Sequence, residues 1–123
     1  MITSTPPRVI SAWVQSIGNA TPKQMSSFYT NDAILLATYS TLLTGKQEIY
    51  NYFVDFLNKK NMSCRILKNY TQNCSRGGCQ ISSGIYEFSF TDENGKRQIV
   101  VARYSYAVNG GLIINHHSSE DPE

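Results

Sequence analysis

The sequence predicts an α+β fold in which N-terminal helices pack on one face of a strongly curved antiparallel sheet. Two observations lead to this prediction. Apolar residues recur at helical spacing before residue 60, whereas the residues after Ser63 alternate in the way that is typical of strands. The 123 residues contain neither internal repeats nor a dividing linker, so residues 1–123 are expected to form a single domain.

Three helices are expected in the first half of the chain. The first covers residues 7–19, where four apolar side chains fall on one face. The second is short, opens with a capping-box pattern at residues 21–24, and ends at the turn dipeptide Asn31-Asp32. The third and longest follows a second capping-box pattern at residues 44–47 and continues to about Lys60.

Strands are expected on both sides of the longest helix. The segment Asp-Glu-Asn-Gly at residues 92–95 and the pair Asn109-Gly110 are typical of hairpin turns, so the last strands should be antiparallel neighbours. The expected strands cover residues 33–37, 63–70, 80–90, 98–108 and 112–118.

The composition argues against several kinds of partner. A net charge of +2 with scattered lysines and arginines provides no basic patch for nucleic acid. No apolar run is long enough to span a membrane, and the first residues lack the features of a signal peptide. We therefore expect a cytoplasmic protein without nucleic-acid or membrane partners, while export stays open if the sequence is a mature form.

The cysteines and histidines do not form a metal site in this pattern. Cys74 and Cys79 flank a four-residue loop whose spacing suits neither a redox motif nor a zinc site. Free thiols are expected there, or a disulfide if the protein is exported. His116 and His117 are adjacent and should point to opposite faces of a strand, so they cannot bind one metal ion together. The sequence predicts no metal and no cofactor.

Arg103 is the first candidate functional residue, because it lies in an otherwise apolar row of a strand. A guanidinium there either lines a ligand pocket and binds a carboxylate, or forms a structural ion pair, for example with Glu87. His116 and His117 follow on the next strand, one on the concave and one on the convex side of the sheet. A neutral, hydrogen-bonded histidine in the core is the commoner outcome for such a residue.

Asp32 and the tyrosines complete the set of candidates. Asp32 is a possible general base beside an aromatic cavity, although a turn role is commoner for Asn-Asp. Several tyrosines are placed to line either a cavity or an interface, because their apolar rings carry a polar tip. These are Tyr39, Tyr52, Tyr86 and Tyr104.

Four segments carry a resemblance to a known family. They are GKQEIYNYFVDFL at residues 45–57, SGIY at 83–86, VARY at 101–104 and HHSSEDP at 116–122. From about Trp13 to Pro122 the chain resembles the association domain of calcium/calmodulin-dependent protein kinase II, within the nuclear transport factor 2-like (SnoaL-like) superfamily. The resemblance implies a cone with a deep pocket, dimers formed through sheet faces, and Arg103 as a pocket residue for small carboxylates.

The chain departs from this family at identifiable positions. Gly111 and Asn115 stand where the family usually has Trp and His, and no second pocket arginine is found in the strand around Gly84. No glycine-rich nucleotide loop and no HRD-type catalytic loop occur, so kinase activity is not expected of this chain.

Two functions are consistent with these features. The first is a homo-oligomeric association module, a dimer or larger, whose pocket binds a small anionic or aromatic ligand without chemistry. The second is a small enzyme similar to ketosteroid isomerases and SnoaL-like cyclases, with Asp32 or His116 as base and a tyrosine as acid. The module is favoured, because the sequence shows no recognisable nucleophile–base pair.

Overall fold

The computed structural model describes residues 2–38, 41–75 and 77–120. Within these residues, three helices accompany one seven-stranded sheet, which confirms the predicted α+β class. The helices are α1 (Arg8–Ser16), α2 (Pro22–Ser26) and α3 (Lys46–Phe56). The strands are β1 (Ile2–Thr3), β2 (Tyr29–Leu36), β3 (Leu42–Thr44), β4 (Lys60–Asn73), β5 (Cys79–Thr91), β6 (Arg97–Asn109) and β7 (Leu112–Glu120).

The sheet has the strand order β1-β4-β5-β6-β7-β2-β3. Strands β4 to β7 form an antiparallel meander, and β2 joins β7 in parallel. The four long strands confirm the four that the alternation predicts after Ser63. The sequence pattern does not predict the edge strands β1 and β3, because two or three residues carry too little periodicity.

The predicted turn at Asn31-Asp32 is wrong, because both residues lie inside β2. The pairing of β2 with β7 shifts register between Tyr29 and Ile34, so this stretch is an irregular part of a strand. The short helix α2 accordingly ends at Ser26, before the strand begins.

The two predicted capping boxes have different outcomes. At the start of α2, the Thr21 side chain accepts the backbone N–H of Gln24, and Gln24 Oε1 accepts the backbone N–H of Thr21. At the start of α3, Gly45 occupies the N-cap position instead. The predicted box between Thr44 and Gln47 does not form; the backbone N–H of Thr44 donates to Glu48 Oε1 at 2.9 Å instead.

The core lies on the inner face of the sheet. Alternate residues of β5, β6 and β7 turn inward and are buried, as the two-residue period of a strand requires. Full burial of each large apolar side chain contributes about 1.5–3 kcal/mol. The fully buried side chains include Tyr29, Tyr86, Tyr106, Phe53 and Ile10.

A buried polar cluster, which we call the Asn69 cluster, occupies one part of the inner face and consists of Asn69, Thr71, Ser82 and Tyr104. Tyr104 Oη and Ser82 Oγ donate to Asn69 Oδ1 at 2.6 and 2.5 Å. Asn69 Nδ2 donates to Thr71 Oγ1 at 3.0 Å, and Thr71 Oγ1 donates to the carbonyl oxygen of Thr5 at 2.9 Å. The cluster therefore ties the N-terminal segment to the sheet.

Close packing at the Asn69 cluster depends on Gly84. A Cβ atom at this position would lie 2.0 Å from the carbonyl oxygen of Lys68 and 2.7 Å from Tyr104 Oη. The first of these contacts is to the backbone of a paired strand, which has little freedom to move. The sheet can therefore bring β4 and Tyr104 together only because position 84 has no side chain.

The β4–β5 hairpin carries a disulfide bond between Cys74 and Cys79, so the prediction of free thiols is wrong. Strand pairing sets the two residues opposite each other: the N–H of Cys74 donates to the carbonyl oxygen of Cys79 at 3.0 Å, and their Cα atoms are 5.2 Å apart. Disulfides persist mainly in oxidising compartments, which corresponds to the exported form that the sequence left open. Cys64 is free, and burial raises the pKa of its thiol.

Candidate functional site

A cavity of about 380 Å³ opens between α3, the end of β2 and the inner face of the sheet. Its wall combines side chains from α1, α3 and β5 and is mainly aromatic. A concave, largely apolar surface with a few polar groups is typical of a site for a small ligand. The aromatic residues of the wall include Trp13, Tyr52, Phe53, Phe56, Tyr86 and Phe88.

Trp13 is the centre of this aromatic wall. Its indole stacks on Tyr86 with ring centroids 5.9 Å apart and an interplanar angle of 15°. It meets Phe53 and Phe88 edge-on, at centroid distances of 6.3 and 6.2 Å. Each such pair stabilises the fold by about 0.5–1.5 kcal/mol beyond the contribution of its buried surface area. The aromatic wall is therefore a preformed surface.

A chain of hydrogen bonds, which we call the His116 chain, runs through Trp13, Tyr29, His116 and Tyr86. Trp13 Nε1–H donates to Tyr29 Oη at 3.0 Å. Tyr29 Oη lies 2.9 Å from His116 Nδ1, and Tyr86 Oη lies 3.2 Å from His116 Nε2. Tyr106 stacks on the imidazole with ring centroids 3.9 Å apart. Both nitrogens of His116 are therefore engaged and its ring is fixed.

His116 is neutral at physiological pH. Burial of the imidazole, with a smaller contribution from the charge of His117, lowers the pKa of His116 to about 3. A general base works best when its pKa is close to the operating pH. His116 thus contributes hydrogen bonds to the wall of the cavity and is poorly suited to accept a proton there.

Two hydroxyl groups continue the polar part of the wall. Ser118 Oγ and Thr38 Oγ1 lie 2.6 Å apart, and both residues line the cavity. Burial raises the pKa of Tyr86, and a hydrogen bond with Ser118 partly opposes that rise. The Thr38–Ser118 pair is therefore in contact with the end of the His116 chain.

Charged groups lie only toward the mouth of the cavity. Asp55, in the last turn of α3, and Lys59, three residues after the helix ends, are exposed and contribute to the lining. Lys59 Nζ lies 5.2 Å from the centre of the Phe90 ring, a cation–π contact. Among the described residues that line the cavity, no arginine occurs.

The structure brings together three of the residues that the sequence singles out. His116, Tyr52 and Tyr86 all line the cavity. His117 is exposed on the other side of the sheet, so the predicted opposite orientation of the two histidines is confirmed. Tyr39, another cavity candidate from the sequence, lies outside the described residues.

The structure corrects the expectation for Arg103. Ala102 and Tyr104 turn inward, so the intervening Arg103 is exposed on the outer face, in register with Ile85 and Ser119. It does not line the cavity. The suggested structural ion pair with Glu87 also does not form, because Glu87 Oε1 accepts from Arg65 Nε at 3.0 Å.

Two other candidates also lie away from the cavity. Asp32 is exposed on β2, where its Oδ1 accepts from Thr30 Oγ1 at 3.1 Å, because the irregular start of the strand points it to solvent. Tyr104 is buried, but its hydroxyl belongs to the Asn69 cluster. Neither side chain is within the lining of the cavity.

Sequence reasoning misses four polar participants of the cavity wall and the His116 chain. It assigns Trp13 only to the core, and Tyr29 to a helix that ends before this residue. Ser118 shares the inward parity of His116 on β7, which is a signal that was available in the sequence. Thr38 had no such signal, because only the parallel pairing of β2 with β7 places it beside Ser118.

Two further features of the described part of the chain concern membranes and metal ions. None of its helices has the length and apolar character needed to cross a membrane. No group of three or more His, Cys, Asp or Glu side chains within it is arranged to hold a metal ion.

The calcium/calmodulin dependent protein kinase II association domain family matches residues 7–122 of the sequence. The chain belongs to this family. None of the proteins of curated function matches it significantly. The family match confirms the resemblance read from the four sequence segments over almost the whole chain.

Solved structures support the same fold. A putative calcium/calmodulin dependent protein kinase II association domain from Xanthomonas campestris is 29% identical, with a TM-score of 0.86 over 98% of this chain and 95% of that one. A ketosteroid isomerase-like protein from Erwinia carotovora atroseptica has 12% identity and a TM-score of 0.74, covering 94% and 92%. A putative polyketide cyclase from Xanthomonas campestris pv. campestris has 12% identity and a TM-score of 0.66, covering 92% and 87%. The predicted nuclear transport factor 2-like cone is thus confirmed.

Proposed function

We propose that this association domain is a self-associating module whose cavity binds a small aromatic molecule without converting it. The observation that carries this proposal is the preformed aromatic cavity of about 380 Å³ in a member of an association-domain family. The volume lies in the range of small-molecule sites, and the aromatic wall favours a flat apolar body.

Self-association is supported by the outer face of the sheet. Large apolar side chains from β2, β5, β6 and β7 are exposed there, and Ile99 is the most exposed of them, at 61%. A large exposed apolar surface on a small domain is typical of an interaction site. The side chains on this face include Ile34, Leu36, Ile81, Ile99 and Leu112.

The position of the charges narrows the class of ligand. Arg103 is outside the cavity, and Lys59 is at its mouth, with Asp55 close by in sequence. Burying an unpaired carboxylate deep in an apolar site is costly. We therefore favour an aromatic ligand over a small aliphatic carboxylate.

The structure offers less support for the acid–base enzyme that the sequence left as an alternative. Asp32 lies outside the cavity, and His116 is neutral with both ring nitrogens engaged. No specific observation favours this second function, and we do not propose it.

Light scattering at micromolar concentration tests self-association. We expect a mass of at least two chains for the wild type and a lower mass for the double variant Ile81→Glu with Ile99→Glu. The control is Val54→Glu, which places the same charge on an exposed apolar position of α3 and should leave the mass unchanged. A monomeric wild type would refute this part of the proposal.

Thermal unfolding with a panel of aromatic compounds and small carboxylates tests the cavity. Bound aromatic compounds should raise the Tm progressively as their concentration increases, and above Kd the rise should follow the logarithm of the concentration by mass action. The rise should persist in Arg103→Ala, whose side chain is outside the cavity, and should be lost in Ala37→Leu, which fills part of it. A rise that Arg103→Ala abolishes would contradict the assignment of the cavity.

A further inference from the structure

The direction of the His116 chain follows from its first member. An indole N–H only donates, so Tyr29 Oη accepts from Trp13. Tyr29 is fully buried, and a buried hydroxyl hydrogen needs an acceptor. Among the described residues, the acceptor within range is Nδ1 of His116. Neutral His116 therefore carries its hydrogen on Nε2, which donates to Tyr86 Oη.

The same argument applies to the next hydroxyl groups. Tyr86 is buried, and its Oη accepts from His116 Nε2. Ser118 Oγ and Thr38 Oγ1 lie 2.6 Å apart, so one hydroxyl of the pair donates to the other. Each hydroxyl carries one hydrogen, so the pair keeps a second one, for which the described residues provide no acceptor at hydrogen-bond distance. That hydrogen is thus available on the wall of the cavity.

We propose that the Thr38–Ser118 pair donates a hydrogen bond to the carbonyl oxygen of a neutral aromatic ligand. This inference rests on the proposed ligand-binding function and adds the chemical class of the ligand: an aromatic ketone or ester. The hydrocarbon of the same shape leaves the donor unsatisfied, and buried unsatisfied donors are costly. The corresponding carboxylate brings a charge to a wall whose lining cation, Lys59, lies at the mouth.

Three probes of the same shape test this preference: 2-acetylnaphthalene, 2-ethylnaphthalene and 2-naphthoate. By calorimetry or fluorescence, the ketone should bind about fivefold more tightly than the hydrocarbon, as one hydrogen bond implies. It should also bind more tightly than the carboxylate. In the double variant Thr38→Val with Ser118→Ala, the ketone should lose its advantage over the hydrocarbon.

The chain offers a matched control for this variant. Thr30 lies on β2, which leads to Thr38, and Ser119 follows Ser118 on β7, but neither lines the cavity. The double variant Thr30→Val with Ser119→Ala should keep the fivefold preference. The infrared carbonyl stretch of bound 2-acetylnaphthalene should lie at lower frequency in the wild type and this control than in the cavity variant.

The ¹⁵N chemical shifts of His116 test the direction of the chain without any ligand. A protonated Nε2 and an unprotonated Nδ1 are expected. A hydrogen on Nδ1 would overturn the inference, because Tyr86 would then donate to Nε2 and Ser118 would be free to donate to Tyr86.

The outcomes separate this inference from the proposed function. Equal binding of ketone and hydrocarbon would overturn the inference and leave an aromatic cavity. Tightest binding of 2-naphthoate would overturn it in favour of a carboxylate site at the mouth. Binding of none of the three probes would refute the ligand-binding function together with the inference.

Discussion

The Asn69 cluster and the His116 chain bury polar groups on the same inner face of the sheet, yet they are organised differently. In the Asn69 cluster, two hydroxyls converge on Asn69 Oδ1, and Thr71 passes its hydrogen to a backbone carbonyl of the N-terminal segment. The His116 chain instead leads from Trp13 through the imidazole to Tyr86, and Thr38 and Ser118 line the same cavity as Tyr86. A hydrogen-bond network whose groups all find partners within the protein stabilises the fold. A network that ends at a cavity leaves one hydrogen-bonding group available to a ligand.

The covering elements explain this contrast. The Asn69 cluster lies under the N-terminal segment, whose backbone supplies acceptors. The His116 chain lies under the rings of Trp13 in α1 and Phe53 in α3, which have no hydrogen-bond acceptor. Whether a buried polar group stabilises the fold or stays available to a ligand therefore depends on the segment that packs over it.

The largest effect on stability is expected from a substitution in the Asn69 cluster. Asn69→Ala removes the shared acceptor of Tyr104 and Ser82 and should lower the free energy of unfolding by about 3 kcal/mol, because buried hydroxyls lose their partner. Urea denaturation measures this loss. The control Asn115→Ala, at an exposed position of β7, should change stability by less than about 0.5 kcal/mol. Equal losses for the two variants would contradict a structural role for the cluster.

A pH-dependent effect of intermediate size is expected from the His116 chain. The folded pKa of His116 lies near 3, below the unfolded value of 6.5, so the unfolded chain binds a proton more readily. The contribution to stability is present above pH 6.5 and is lost as the pH falls toward 3. The expected loss is about 2 kcal/mol between pH 7 and pH 5. The buried tyrosines in contact with His116 do not titrate in this range, because burial raises the pKa of Tyr29, Tyr86 and Tyr106.

Urea denaturation of two histidine variants at several pH values isolates this contribution. Between pH 7 and pH 5, the free energy of unfolding of His116→Gln should fall by about 2 kcal/mol less than that of the wild type. His117→Gln, an adjacent exposed histidine, should retain the wild-type dependence. The same dependence in all three proteins would show that His116 is not buried in its neutral form.

The smallest effect on stability is expected at the end of the chain. Ser118→Ala should cost less than about 1 kcal/mol, because a water molecule in the open cavity is able to replace the lost hydroxyl. The matched variant Ser82→Ala, inside the Asn69 cluster, should cost about 2 kcal/mol. Chemical denaturation of both variants gives the comparison. If Ser118→Ala proved as costly as Ser82→Ala, the end of the chain would not be available to a ligand.

The sequence by itself determined the α+β class, the four long strands and the opposite orientation of His116 and His117. These features depend on local periodicity: a period of two residues fixes which side chains share a face, whatever the rest of the chain does. The Thr21 cap is local for the same reason. The resemblance to the association-domain family supplied two further expectations, the cone-shaped fold and a pocket.

Only the tertiary structure decided which face of each strand is the inner one and which groups meet there. Arg103 and Tyr104 alternate in the sequence whichever way the sheet curves, but the helices cover the side of Tyr104 and leave Arg103 exposed. Thr38 and Ser118 are 80 residues apart and meet through one parallel strand pairing. Contacts over such separations depend on the packing of the whole chain, and no short pattern encodes them.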